Sequence, residues 1–285
     1  MDTKDLWWKQ RFLESEYGTN SYIDHESCIL PFKEFKDRIE IGFIGPYSLA
    51  YAETLSINES AIIKTWQMLI DKFSNKEIHI RLPPEEYYPK LFVNNFAAIT
   101  KLNGSVIYSD LNQYLELSGK FELKIRRNRI RDLKKSIVSG QVVKQIEIFD
   151  AYSIIEKNRI RKNLVPTVKV EKIIHLSKVI PNAINSFGVY ERNDLIAASI
   201  VYKISNSLAY VFMWGHDPDT ENGGLAVTSL CKGLFDYYQN ESVEILCLGT
   251  SSVRGQVDFG LMDFKKGLGA IISERKVIMI PKSKL

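Results

Sequence analysis

The sequence predicts an α+β chain of two domains, each a mixed, largely antiparallel sheet flanked by helices. Three observations carry this expectation. The chain has 285 residues with 45% apolar side chains, enough for two packed cores. From Ser186 to Ile280 the pattern reads strand, strand, strand, helix, strand, helix, strand. The first half repeats the outline of strands, an apolar-striped helix and a following strand, as an old duplication would leave it. The expected boundary falls between residues 123 and 124, giving domains of 1–123 and 124–285.

Alternation of apolar and polar residues places strands at Cys28–Phe32 and Ile39–Ile44, with Gly45-Pro46 as the turn that follows. From Asn58 and Ser60, either of which can cap free amides, Ile62, Trp66, Leu69, Ile70 and Phe73 recur at helical spacing. Ile78–Leu82 is a strand stopped by Pro83-Pro84. A helix is expected over 85–96 and one or two strands over Val106–Leu117. The run 124–135 carries seven basic residues with Ile130, Leu133 and Ile137 along one edge, a connecting helix closed by Gly140. Beyond it come a strand at Val142–Ile146, helices over 149–162 and 170–180 with a stop at Pro166, and strands at 186–191, 195–204 and 208–215. The remaining elements are a helix at 224–239, a strand at 243–248 expected to run parallel to 208–215, and a helix at 256–266.

A net charge of +4 is a mild bias that suits an anionic small ligand better than an extended phosphate backbone. Cys28, Cys231 and Cys247 are widely spaced and odd in number, so they read as small packing residues and not as a disulfide framework or a metal cluster. No metal is expected, since the four histidines lack ligand spacing. The first eight residues have no cationic start leading into an apolar stretch, and no apolar run is long enough to span a bilayer. Cytoplasmic location without membrane insertion is the expectation, and the sequence sets no oligomeric state.

Several residues could carry chemistry. Tyr210, Phe212 and Trp214 share one face of their strand and Val211 and Met213 the other, so one of the two faces lines the core or a cleft. Asn222, Gly223 and Gly224 open a helix, where freed amides can meet a phosphate or serve only as a cap. His216 is either a base near neutrality or a surface residue. On the last helix Val257, Leu261, Phe264 and Leu268 form a stripe with Asp258, Met262 and Lys265 along a neighbouring face. That spacing holds Lys265 at the margin of the core, where it either reaches a substrate or snorkels toward an acid. Lys266 should face solvent, and Gly267 is placed to end the helix in a left-handed conformation.

Leu195-Ile196-Ala197-Ala198-Ser199, Leu248-Gly249-Thr250-Ser251 and Phe264-Lys265-Lys266-Gly267-Leu268-Gly269-Ala270 resemble the GNAT superfamily in its tandem-domain, Fem-like branch, the likeness being clearest over 124–280. The resemblance implies two fused GNAT-like domains and transfer of an acyl or aminoacyl group to an amine; the expected donor substrate is acyl-CoA and the expected acceptor a small sugar or peptide precursor of the cell surface. It implies a transfer site at Lys265 with the Phe264 carbonyl nearby, and contacts to an anionic acceptor at Arg159 and Arg161, whose guanidinium forks suit phosphate. Tyr210, Trp214, His216 and Ser251 complete the expected substrate-binding set, and Asn222, Gly223 and Gly224 the donor-binding set. Thr220–Ala226 departs from the family turn by keeping glycines without a basic residue. Two alternatives stand beside this reading: an aminoacyl-tRNA-dependent ligase of the Fem type, for which tRNA is the less favoured partner, and a GNAT-like binding protein without catalysis.

Overall fold

The computed structural model describes residues 22–26, 28–42, 51–52, 59–166, 168–221 and 223–283. The expected turn at Gly45-Pro46, the Asn58 cap, the end of the second strand at Ile44 and Asn222 lie outside these residues. Two compact units emerge, one of 1–112, 250–258 and 273–285, the other of 113–249 and 259–272. The expected cut at 123 crosses the chain once, whereas these units interleave, with two late segments counting toward the first.

In the first unit β1 (Tyr22–His25) and β2 (Cys28–Pro31) pair antiparallel. The short β3 (Lys33–Glu34) turns back on β4 (Arg38–Ile41), and β5 (Tyr51–Ala52) adds to β2. Helix α1 (Glu59–Lys72) then crosses to β6 (Glu77–Arg81), which lies parallel to β4. Its buried face is Ala61, Ile62, Thr65, Trp66 and Leu69, the helical stripe that the spacing announces. Helix α2 (Pro89–Lys101) packs on α1, and the Trp66 indole donates to Asn95 Oδ1 at 2.8 Å where both side chains are fully buried. The pair satisfies a donor that burial would otherwise leave costly. In place of one helix over 85–96, a short 3₁₀ turn at Glu85–Tyr87 precedes α2, because Pro89 has no N–H to continue a helix from behind and serves instead at its first turn. The 106–117 region is one long strand, β7 (Ser105–Glu116), whose first residues belong to this unit and whose last to the other.

The second unit begins with Gln113–Glu116 of β7 and a 3₁₀ turn at Phe121–Leu123. Helix α3 (Arg127–Val138) starts three residues later than the basic run and ends at Gly140, whose φ of 73° matches the expected left-handed stop. Next come β8 (Gln141–Gln145), α4 (Ile148–Arg161), α5 (Val170–Val179), β9 (Ile184–Glu191), β10 (Asp194–Lys203) and β11 (Leu208–His216). Strands β8 to β11 are antiparallel neighbours in chain order. Helix α6 (Gly223–Asn240) then leads to β12 (Ile245–Thr250), which is parallel to β11 as expected. The core gathers on α6, where Leu230, Leu234, Phe235 and Tyr238 are fully buried against Val189, Ala197, Val211 and Leu246. Cys231 lies among them and burial pushes its thiol up to about 12, so it stays neutral as a packing residue. Cys28 and Cys247 are likewise buried and free of disulfides.

After β12 the chain returns to the first unit for a small hairpin, β13 (Ser252–Val253) and β14 (Gln256–Val257), turned by Arg254 and Gly255 at φ 51° and 77°. Helix α7 (Phe259–Gly267) follows, and β15 (Ile271–Ile280) ends by pairing antiparallel with β6. The hairpin takes Val257 out of the expected last helix, which begins at Phe259. Gly267 stays helical, and the left-handed residue is Gly269 at φ 85°, packed so closely on the Lys124 backbone that a Cβ would sit 2.8 Å from its carbonyl oxygen.

Candidate active site

Strands β11 and β12 build a fork. Their parallel pairing covers Leu208↔Ile245, Ala209↔Leu246 and Tyr210↔Cys247 and then stops, although β11 runs on to His216 and β12 to Thr250. On its other edge β11 stays paired with β10 out to Ala197↔His216, so residues 211–216 are held in place with their β12 side lacking a strand partner among the described residues. A strand edge of this kind presents amides and carbonyls in a fixed row that a ligand can use.

At the fork sits Gly249, with φ 76°, a conformation that side-chain-bearing residues rarely adopt. Its carbonyl accepts a 2.9 Å hydrogen bond from Lys265 Nζ. Lys265 is 1% exposed, which corrects the expected position at the core margin and removes the snorkelling alternative. The covered side of α7 is centred on Lys265, Gly267 and the adjoining Leu268, while Leu261 and Phe264 of the expected stripe are half-buried. Lys266 is exposed as expected. A buried ammonium is costly unless bonded, so the carbonyl of Gly249 at this point is part of what lets it stay there.

Phe264 is half-buried between two partners. Trp214 meets it edge-on at 6.3 Å, and the Arg129 guanidinium stacks over its ring at 4.5 Å. Arg129 also donates to Asp132 at 2.8 Å. On β11 Val211 and Met213 are buried and Tyr210, Phe212 and Trp214 half-buried, but the expected two faces do not hold: an irregularity opposite Ile200 and Val201 breaks the alternation, and Trp214 packs on the same core cluster as Val211. Tyr210 lies beside Gly249, its ring 3.6 Å from where a Cβ would stand. Lys265, Phe264, Trp214 and Tyr210 thus gather around the fork, joined by Gly249 and Arg129.

The end of β11 forms a second cluster in the same unit. His216 is half-buried with Nδ1 3.0 Å from the Asp217 carbonyl, and its own carbonyl accepts from Asn158 Nδ2 at 2.8 Å. Gly223 at the start of α6 lies so near the imidazole that a Cβ would stand 2.2 Å from Nδ1, which is why a glycine is needed there. Gly224 has open space where a Cβ would stand, and Asp217 pairs with Lys157 at 3.4 Å and accepts from the Asp219 amide at 3.0 Å. Arg159 is half-buried and Arg161 exposed at the end of α4. Ser251 is buried in the first unit, its amide bonded to the Leu111 carbonyl. Among the described residues no group of three or more potential ligands could hold a metal ion, and no helix is long and apolar enough to cross a membrane.

Asn158, Arg129 and Gly249 do not stand out in the sequence as site residues. Asn158 carries a signal all the same: it continues the Ala151, Ile154, Ile155 stripe as a lone polar residue on an apolar face.

No family model matches the sequence, and no curated protein matches it. Solved structures do. The structure of FemX superposes with a TM-score of 0.65 at 10% identity, covering 97% of this chain and 92% of that one. L-PGS from Bacillus licheniformis gives 0.63 at 10%, over 96% and 91%. A tandem GNAT protein from the clavulanic acid biosynthesis pathway gives 0.50 at 8%, over 91% and 80%. The chain has a GNAT-like, Fem-related fold. The expected resemblance holds in the fold, as does a mixed sheet flanked by helices, but β3, β4, β6–β12 and β15 are hydrogen-bonded in one ten-stranded sheet where a sheet in each of two domains is expected. The likeness spans nearly the whole chain, where the sequence motifs are clear only from 124 onward.

Proposed function

We propose that the protein is a transferase that moves an acyl group onto an amine, with the chemistry at the β11–β12 fork. The observation that carries this reading is the fork itself, opened after Tyr210 and Cys247, with a buried ammonium bonded to the carbonyl at its apex. Attack of a neutral amine on an acyl carbonyl develops negative charge on the carbonyl oxygen. Fixed amides along 211–216 are placed to receive that oxygen, and the Lys265 charge acts across a medium that screens it poorly. Lys265 also holds the Gly249 carbonyl and hence the width of the fork. Phe264, Trp214 and Tyr210 supply apolar walls for donor and acceptor.

Acyl-CoA is the donor we infer, its carrier phosphates meeting the open helix start at Gly224 with Gly223 beside it. His216 is near enough to this start to orient it. The acceptor is a small sugar or peptide amine, with Arg159 and Arg161 serving any phosphate it carries. The neighbours support an acyl or aminoacyl group as cargo, one solved structure being named as a putative lysylphosphatidylglycerol synthetase C-terminal domain.

The test is direct. The purified chain is incubated with acetyl-CoA or longer acyl-CoAs and a panel of amino sugars and short peptides, and products are read by mass. Transfer that disappears in Lys265→Met and persists in Lys266→Met supports the reading. Transfer unaffected by Lys265→Met removes the fork from the chemistry, and activity only with aminoacyl-tRNA replaces acyl-CoA as the donor.

A further inference from the structure

The turn joining α3 to β8 combines two features that water alone does not favour. Ile137 and Val138, the last residues of α3, are 76% and 89% exposed, and Val142 just beyond them is 48% exposed. Around them stand Arg131, Lys134, Lys135 and Lys144, all basic, with Arg131, Lys134 and Lys135 exposed on the helix. Behind the turn an open groove of about 710 Å³ runs between α3, β8 and α6, with Ile130, Leu133, Val143 and Phe187 along its floor. The carboxylates lining it, Glu122 and Asp236, share a single partner, Lys232, and Arg131, Lys134, Lys135 and Lys144 outnumber the one negative charge that sharing leaves.

We propose that this surface docks the protein on an anionic bilayer. Aliphatic side chains at a tip ringed by lysine and arginine match a headgroup layer that is negative outside and apolar a few ångströms deeper. Nucleic acid fits the surface less well: the ring beside the tip, Tyr190 across from Val142, is half-buried with Lys144 over it, and two bare aliphatic residues gain nothing against phosphate. The attachment is peripheral, by side chains of one turn and the charge around them. It stands apart from the transferase reading, since no residue of the fork takes part.

Flotation of the full chain with vesicles of phosphatidylcholine alone, and of equimolar phosphatidylglycerol and phosphatidylcholine, tests it. Binding is expected only to the anionic vesicles and falls as salt is raised. Replacing Lys134 and Lys135 together by Gln weakens it on the order of thirtyfold at low salt, at about 1 kcal/mol for each charge near the surface. Ile137→Ser with Val138→Ser weakens binding without changing the melting temperature, because both side chains already face solvent. Equal binding to both vesicles, binding to neither, or full binding by the Ile137/Val138 variant overturns the proposal. So does salt-sensitive retention of tRNA by a protein that leaves anionic vesicles unbound, which would make the patch a nucleic-acid surface.

Discussion

Among the described residues, two strand–helix–strand crossovers join parallel neighbours, and they differ in one respect. In the first unit β4–α1–β6 pairs along the whole of β4, from Arg38↔Glu77 to Ile41↔Ile80. In the second unit β11–α6–β12 pairs from Leu208↔Ile245 to Tyr210↔Cys247 and then opens. The first is closed because its strands end where their pairing ends. The second is open because β11 follows β10 all the way to His216 and leaves β12 after Tyr210, and because Gly249 turns the β12 backbone at a φ that other residues resist. Two crossovers of one chain can therefore differ in whether their strands part through strand length and one glycine, while each core remains intact. The contrast teaches where a strand edge is left without a partner strand, and it is on that edge that the proposed site rests.

The sharpest way to break the comparison is to remove Lys265. Lys265→Met is expected to lower turnover about a hundredfold, on the order of 3 kcal/mol of transition-state stabilisation, measured by steady-state kinetics with a substrate found in the transfer screen. Ile80→Ala in β6 should do the reverse. Ile80 is fully buried, so the variant loses about 3 kcal/mol of stability by denaturant titration while the folded fraction keeps its turnover. Asn158→Ala sharpens the picture at the far end of β11: with the His216 carbonyl left without its 2.8 Å donor, stability falls by about 1–2 kcal/mol, and half that loss or more is restored in Asn158→Gln only if the side-chain reach is adjustable. Gly249→Ala is expected to cost about 1 kcal/mol from its backbone conformation and to lower turnover more than stability, as the fork shifts.

A smaller effect lies in the first unit. Burial raises the Glu86 carboxyl above its ordinary value, with Glu85 adding to it and hydrogen bonds from Ser273 and Asn112 opposing it. Charging Glu86 therefore costs more in the folded than in the unfolded chain. Its contribution is most favourable below the ordinary carboxylate range and is lost as pH rises through the raised folded value. Glu86→Gln keeps an oxygen for Ser273 and should flatten this part of the stability–pH curve, with a modest gain at neutral pH. A curve as steep as the parent's would show that another group titrates there.

Much of this is readable in the sequence. The order of elements from 184 to 280, apart from the hairpin at 252–257, and the parallel return of β12 follow from periodicity, because apolar stripes such as Leu230 and Leu234 are local. The end of the β11–β12 pairing is not readable, since register is set by which strands compete for the same edge. Lys265 stands out through its motif, yet its burial is hidden: on α7 Lys265 is buried while Leu261 and Phe264 of the apolar stripe are half-buried, and which face of a helix is covered is set by its neighbours in space. Ser251 shares a motif set with Lys265, and it is nonetheless a buried residue of the first unit. Arg159 and Arg161 draw notice by charge, while the residue that secures β11 is the uncharged Asn158 between Lys157 and Arg159.

Amide hydrogen exchange, followed along the chain with and without acetyl-CoA, tests the central claim most directly. The fork predicts that donor binding slows exchange at 211–216 and 248–249 and leaves 38–41 and 77–81 unchanged, since the closed crossover has no edge to offer. Slowing at the β4–β6 pair, or no slowing in β11 while acetyl-CoA is bound, would contradict it.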